Sequence, residues 1–124
     1  MTLPRTILIV DDDQDVLSMM SIILESKGFE VISCSSGTEA LEKLKTQQPQ
    51  LVLLDIMMPV MNGYDVLVHM KQRPETQNIP VIMVTAKGEG DEIITGYQHG
   101  ADYYIPKPFT TEQLLYGIGL FLKN

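Results

Sequence analysis

The sequence predicts an α/β fold, a parallel sheet covered by helices on both faces, and three observations carry that expectation. Short apolar runs and amphipathic helical patterns alternate about five times along the 124 residues, the order that strand–helix–strand units produce. The run LVLLD at 51–55 is apolar up to its last residue, as a strand buried on both faces should be. Turn residues close these runs: Asp11, Asp12 and Asp13 follow the first, and Pro59 with Asn62 and Gly63 follow the third.

Taken in order, ILIV at 7–10 is the first strand. QDVLSMMSIILESKGF then sets Val16, Leu17, Met20, Ile23 and Leu24 at helical spacing and stops at Gly28. FEVISC is the second strand, and TEALEKLK is a helix with Ala40, Leu41 and Leu44 inward. LVLLD is followed by YDVLVHMKQR, a helix that ends before Pro74. VIMVT is the fourth strand, and DEIITGYQHG is a helix weakened around Gly96. YYIP is the fifth strand, and TTEQLLYGIGLFLK closes the chain as a helix, with Thr110 and Gln113 forming a capping box. In that helix Leu114, Leu115, Ile118, Phe121 and Leu122 share a core face. Tyr116 and Leu120 take the solvent side, flanked by Gly117 and Gly119, which leave them prominent.

At 44% hydrophobic residues the chain suits one domain over 1–124, with its core at about 6–122. A net charge of −7 and a pI near 4.6 argue against nucleic acid as a direct partner, because phosphate backbones reward clustered Lys and Arg. No segment is suited to crossing a membrane, and the apolar stretch after Arg5 is too short for a signal peptide. The solitary Cys34 permits no internal disulfide and reads as a small buried hydrophobe in a reducing, cytoplasmic setting. Repeats, linkers and low-complexity segments are absent, and no output domain is expected within these residues.

Polar residues at the strand ends carry the chemistry. Asp11, Asp12 and Asp13 follow the first strand, Asp55 ends the third, Thr85 the fourth, and Lys107 follows the fifth. In a parallel sheet these ends share one edge, where α/β folds bind their ligands. Carboxylates crowded there raise one another's pKa unless a cation offsets the charge. A hard divalent ion does so, Mg²⁺ being the best match to oxygen ligands and Mn²⁺ an alternative. Asp12 and Asp55 read as direct ligands and Asp11 as one acting through water. An aspartate can also be a nucleophile that forms an acyl phosphate, with Lys107 and Thr85 suited to neutralising the phosphoryl oxygens. Asp13 and Asp15 read as residues that start the first helix. Met57, Met58 and Met61 read as adaptable loop packing, His69 and His99 as surface or half-buried, and Tyr97 as core.

Together ILIVDDD, LVLLDIMMPVMNG, VIMVTA and GADYYIPKPF resemble the receiver domains of two-component response regulators, over essentially all of residues 6–122. The resemblance implies a flavodoxin-like, doubly wound sheet of five parallel strands in the order 2-1-3-4-5. It makes Asp55 the acceptor of a phosphoryl group from a histidine kinase or phosphotransfer protein, in a Mg²⁺-dependent reaction. Asp11 and Asp12 become the acidic pair and Met57 a metal ligand through its backbone carbonyl. Thr85 becomes the switch hydroxyl, Tyr104 the switch aromatic and Lys107 the phosphate-contacting cation, with a cis Lys107–Pro108 bond. Such a protein is a switch that assists its own phosphorylation and dephosphorylation rather than an enzyme. It signals by contact with a downstream protein or with an output domain on another chain, here through Tyr104, Tyr116 and Leu120. Two departures stand out. Met57 replaces a polar residue that relatives carry, which implies a longer-lived phosphorylated state. Tyr103 and Lys123 do not supply the charged pairs through which DNA-binding relatives dimerise. A haloacid-dehalogenase-type phosphatase would need a second acid at position 57, and a pseudo-receiver would lack part of the set Asp11, Asp12, Asp55, Thr85 and Lys107.

Overall fold

The computed structural model describes residues 5–85 and 100–122. The expected helix over 91–100, with Tyr97 and His99, and the loop at 86–90 lie outside the described residues, apart from Gly100. Five strands form one all-parallel sheet: β1 (Thr6–Val10), β2 (Glu30–Cys34), β3 (Leu51–Asp55), β4 (Val81–Thr85) and β5 (Tyr103–Pro106), in the order β2-β1-β3-β4-β5. Between and after them come α1 (Gln14–Ser26), α2 (Gly37–Thr46), α3 (Gly63–Lys71) and α4 (Thr111–Gly119).

Alternation along the strands divides the core between two faces. Leu8, Val10, Val52, Leu54 and Met83 face α2 and α3, packing on Ala40, Leu44, Val66, Leu67 and Met70. Ile7, Ile9, Leu51, Leu53, Ile82 and Val84 face α1 and α4, packing on Leu17, Met20, Leu24, Leu114 and Ile118. Every residue of β3 and β4 is buried, which follows from their central place in the sheet and explains why both read as unbroken apolar runs.

Local chemistry fixes the helix ends. Asp13 caps α1, its side chain accepting from the backbone of Asp15 and Val16, and Asp15 lies in the first turn as expected. Gly28, at φ +91°, ends the same helix in the left-handed conformation that favours glycine. Capping boxes start α3 with Asn62 and Asp65 and α4 with Thr110 and Gln113.

The last helix is shorter than the sequence predicted, ending at Gly119 rather than near 123. Glycines at 117 and 119 weaken it. Phe121 and Leu122 lie past its end, joined by turn hydrogen bonds to Ile118, and are partly buried against the α1–α4 cluster. Gly117 also has a role that the sequence did not announce. A Cβ there would come within 3.0 Å of Ile105 Cδ1 and 3.3 Å of a Tyr103 ring carbon, so this glycine lets α4 approach β5, while Tyr116 beside it is exposed as expected.

Candidate functional site

The C-terminal edge of the sheet gathers the residues that the sequence singled out. Register carries Asp55 opposite Val84 and Thr85 opposite Pro106, so Thr85 ends the strand next to that of Asp55 and Lys107 directly follows the strand beyond it. Carboxylate oxygens of Asp11, Asp12 and Asp55 all lie within 4.8 Å of one another. Lys107 Nζ donates to Asp11 Oδ2 at 2.7 Å and stands 3.5 Å from Asp55 Oδ1. Thr85 is buried, and its carbonyl accepts from the Lys107 backbone at 2.6 Å. The Lys107–Pro108 bond is cis, as the resemblance implied.

Burial sorts the acids. Asp11 is 1% exposed and Asp55 4%, whereas Asp12 is exposed. The sequence placed Asp55 at the ligand-binding edge of the sheet, and its side chain there is buried. That position, with Asp11 beside it, pushes its pKa up to about 6: burial is the larger cause, the Asp11 charge the next, and Lys107 opposes both. For Lys107, burial works against the ammonium, but the hydrogen bond to Asp11 and the charges of Asp55 and Asp11 outweigh it and raise its pKa. Cys34, at the end of β2, is fully buried, and burial first and Glu39 second push its thiol up to about 12. It is an inert core residue.

An all-oxygen donor set at this separation, with one carboxylate held against its ordinary ionisation, fits a hard divalent cation. The two buried acids share one ammonium, and a second positive charge would relieve Asp55 of the conflict.

Several features of the site escaped the sequence. Gly63 reads there only as part of a turn, yet a Cβ on it would overlap the Asp55 carbonyl oxygen. Its N–H donates to Ile56 O at 2.9 Å and docks the start of α3 on the end of β3. The Tyr104 hydroxyl lies 3.2 Å from that of Tyr64 on α3, a pairing that no sequence spacing announces. The methionines divide: Met58 is buried and Met61 packs on the α2–α3 cluster, but Met57 is 65% exposed, so loop packing does not describe it. Val60 adopts φ +69°, a backbone that costs a β-branched residue about 1–2 kcal/mol. His69 is exposed on α3, its Nδ1 2.8 Å from the Asp65 carbonyl.

Comparison with known proteins agrees with this geometry. Residues 7–118 match the response regulator receiver domain family, and the chain belongs to it. The chain is 41% identical over 118 residues to the transcriptional regulatory protein CpxR homolog of Haemophilus influenzae, covering 95% of this chain and 50% of that protein. Among solved structures, the chemotaxis protein CheY4 of Vibrio cholerae superposes with a TM-score of 0.93 at 28% identity, covering 97% of this chain and all of that one. A putative response regulator from Chloroflexus aurantiacus gives 0.91 at 35% identity, covering 96% of this chain and 98% of that one. The chain spans about half the length of the curated relatives it matches.

Proposed function

We propose that the protein is a phosphorylation-dependent signalling switch that accepts a phosphoryl group on Asp55 from a histidine kinase or phosphotransfer protein. The observation that carries this reading is the cluster of Asp11, Asp12 and Asp55 with Lys107 bridging its two buried members. Asp11, Asp12, Asp55 and the Met57 backbone carbonyl would hold Mg²⁺, or Mn²⁺ in its place. When bound, the ion neutralises charge on the phosphoryl oxygens. An Asp55 carboxylate oxygen attacks phosphorus, the bond from phosphorus to the donor nitrogen breaks, and its electron pair stays on that nitrogen. Lys107 Nζ, 3.5 Å from Asp55, is close enough to turn from Asp11 toward the new phosphoryl group. The protein acts on its own phosphorylation and dephosphorylation and is not an enzyme with turnover on other substrates.

The new dianion then draws the Thr85 hydroxyl toward it and Tyr104 follows, shifting the population between two packings at the end of β4. Output goes by contact with a downstream protein or with an output domain on another chain. Tyr104, Tyr116 and Leu120 are the contact residues, since Tyr116 is 64% and Leu120 48% exposed, and Tyr104 and Tyr116 line one groove of about 320 Å³. The acidic balance of these residues disfavours nucleic acid as their direct partner. No helix among the described residues is long and apolar enough to cross a membrane, and the free, buried Cys34 suits the cytoplasm.

Incubation with Mg²⁺ and acetyl phosphate, read by intact mass, tests the reading. One phosphoryl group should add to the wild type and none to Asp55→Asn or after chelation. Equal labelling of Asp55→Asn, or labelling without a divalent ion, overturns it.

A further inference from the structure

Val60 combines an unfavourable backbone with full exposure. It holds φ +69° at 103% of its reference exposure, the highest value among the exposed apolar residues described. Glycine takes that backbone freely and asparagine tolerates it, whereas a β-branched side chain resists it. The protein's own core gains nothing in return, because Val60 packs on neither apolar cluster. A cost without an intramolecular benefit directs attention outside the molecule.

The loop geometry says where. Gly63 N donates to Ile56 O at 2.9 Å, so the excursion between them is closed at its base and Val60 stands near its tip. That base is the end of β3, which carries Asp55. Asp55 itself is only 4% exposed, so a protein that hands a phosphoryl group to it must bring its donor atom down between the surrounding loops. A specific interface covers about 800 Å² per partner, a disc roughly 16 Å in radius. Five residues of chain reach at most about 17 Å, and a loop closed at its base reaches less. The tip of the loop therefore lies within the footprint of any protein docked over Asp55.

We propose that Val60, held out by its backbone and assisted by the 65%-exposed Met57 of the same loop, is an apolar anchor for the phosphohistidine-bearing donor protein. Its side chain seats in an apolar recess beside the donor histidine. The proposal rests on the reading of Asp55 as the phosphoacceptor. The anchor fixes the donor and takes no part in bond-making, so a small phosphodonor does not need it.

The test uses the chain with Val60→Asn, Val60→Gly and Val60→Ile. Each autophosphorylated histidine kinase of the host is offered to the wild type, and the fastest donor becomes the probe. Val60→Asn and Val60→Gly should lower kcat/KM for transfer from that kinase about tenfold, and Val60→Ile should retain it. All three should take phosphate from acetyl phosphate at the wild-type rate, and Val60→Asn should melt about 2 °C or more higher as the backbone relaxes. Unchanged kinase transfer in Val60→Asn and Val60→Gly overturns the anchor. So does an equal loss with acetyl phosphate, which would mean a distorted site, or a change confined to self-association in sedimentation. If acetyl phosphate fails to label wild-type Asp55, the phosphoacceptor reading falls and the anchor with it.

Discussion

The two edges of the sheet face the same problem and solve it in opposite ways. Strand ends leave backbone groups without ladder partners. At the N-terminal edge, neutral or singly charged side chains satisfy them. Gln50 Oε1 accepts from Thr6 N at 2.7 Å and Asp102 Oδ2 from Val81 N at 2.8 Å, and in the α3–β4 connection that leads into this edge the buried Thr76 hydroxyl donates to the carbonyl of Met70 in the last turn of α3 at 2.7 Å. No two acids are crowded together in these contacts. At the C-terminal edge Asp11 and Asp55 are both buried and share Lys107, and Asp55 is pushed up to about 6. Hydrogen-bond satisfaction does not separate the edges, since no buried side-chain nitrogen or oxygen among the described residues lacks a partner. The difference is electrostatic: one edge is closed, and the other holds a charge conflict that an incoming cation or phosphoryl group can resolve.

Removing the conflicted charge is the strongest way to break that contrast. Asp55 has its pKa raised from 3.8 to about 6 in the folded protein. Below the lower value both states are protonated. As pH rises between the two the unfolded chain ionises first, so stability falls, and above about 6 the full penalty is present. Without divalent ions, Asp55→Asn should therefore be about 2–3 kcal/mol more stable than wild type near pH 8. The advantage should vanish below about pH 4. Millimolar Mg²⁺ should narrow the gap by stabilising the wild type. Urea melts across pH measure this, and a wild type as stable as the variant at pH 8 would show that the edge holds no conflict.

The closed edge should behave differently. Thr76→Val keeps the shape but removes the donor to Met70 O, and should cost about 1–2 kcal/mol. That loss should stay constant across the window in which Asp55→Asn changes most, because no titrating group takes part. The same melts check it, and a strongly pH-dependent cost would mean that the two edges are electrically coupled.

How much of this could be read from the chain depends on what each feature rests on. The parallel sheet and the meeting of Asp11, Asp12, Asp55, Thr85 and Lys107 were legible because strand-end position follows from apolar runs and parallel strands bring those ends to one side, whereas the strand order came only from the family resemblance. Thr110 and Gln113 announced their capping box by spacing alone. Features set by tertiary approach were not legible. Gly117 yields room to β5, Gly63 to the Asp55 carbonyl, and Tyr64 meets Tyr104 across 40 residues of sequence. The early end of α4 also escaped, because Phe121 and Leu122 continue the apolar spacing after the helix stops. Val60 gave no signal, since a valine in a loop says nothing about φ.

The smallest expected effect sharpens the comparison at the open edge itself. A charge conflict resolved by phosphorylation is restored when the acyl phosphate hydrolyses, and that step needs a water held in line behind phosphorus. Met57 lies two residues beyond Asp55, and its side chain is 65% exposed, facing outward with no polar group to orient such a water. Its backbone N–H is 3.4 Å from Asp55 Oδ1, so position 57 is adjacent to the reacting carboxylate while the side chain remains free to vary. Met57→Asn supplies an amide at that place without filling a core site. It should release phosphate severalfold faster than wild type after the donor is removed, with melting unchanged because the side chain is exposed in either form. Timed loss of the added mass from both proteins in Mg²⁺ measures it. An unchanged or slower rate would mean that water reaches phosphorus without help from position 57, and that the lifetime of the phosphorylated state is set by Asp11, Asp55 and Lys107 alone.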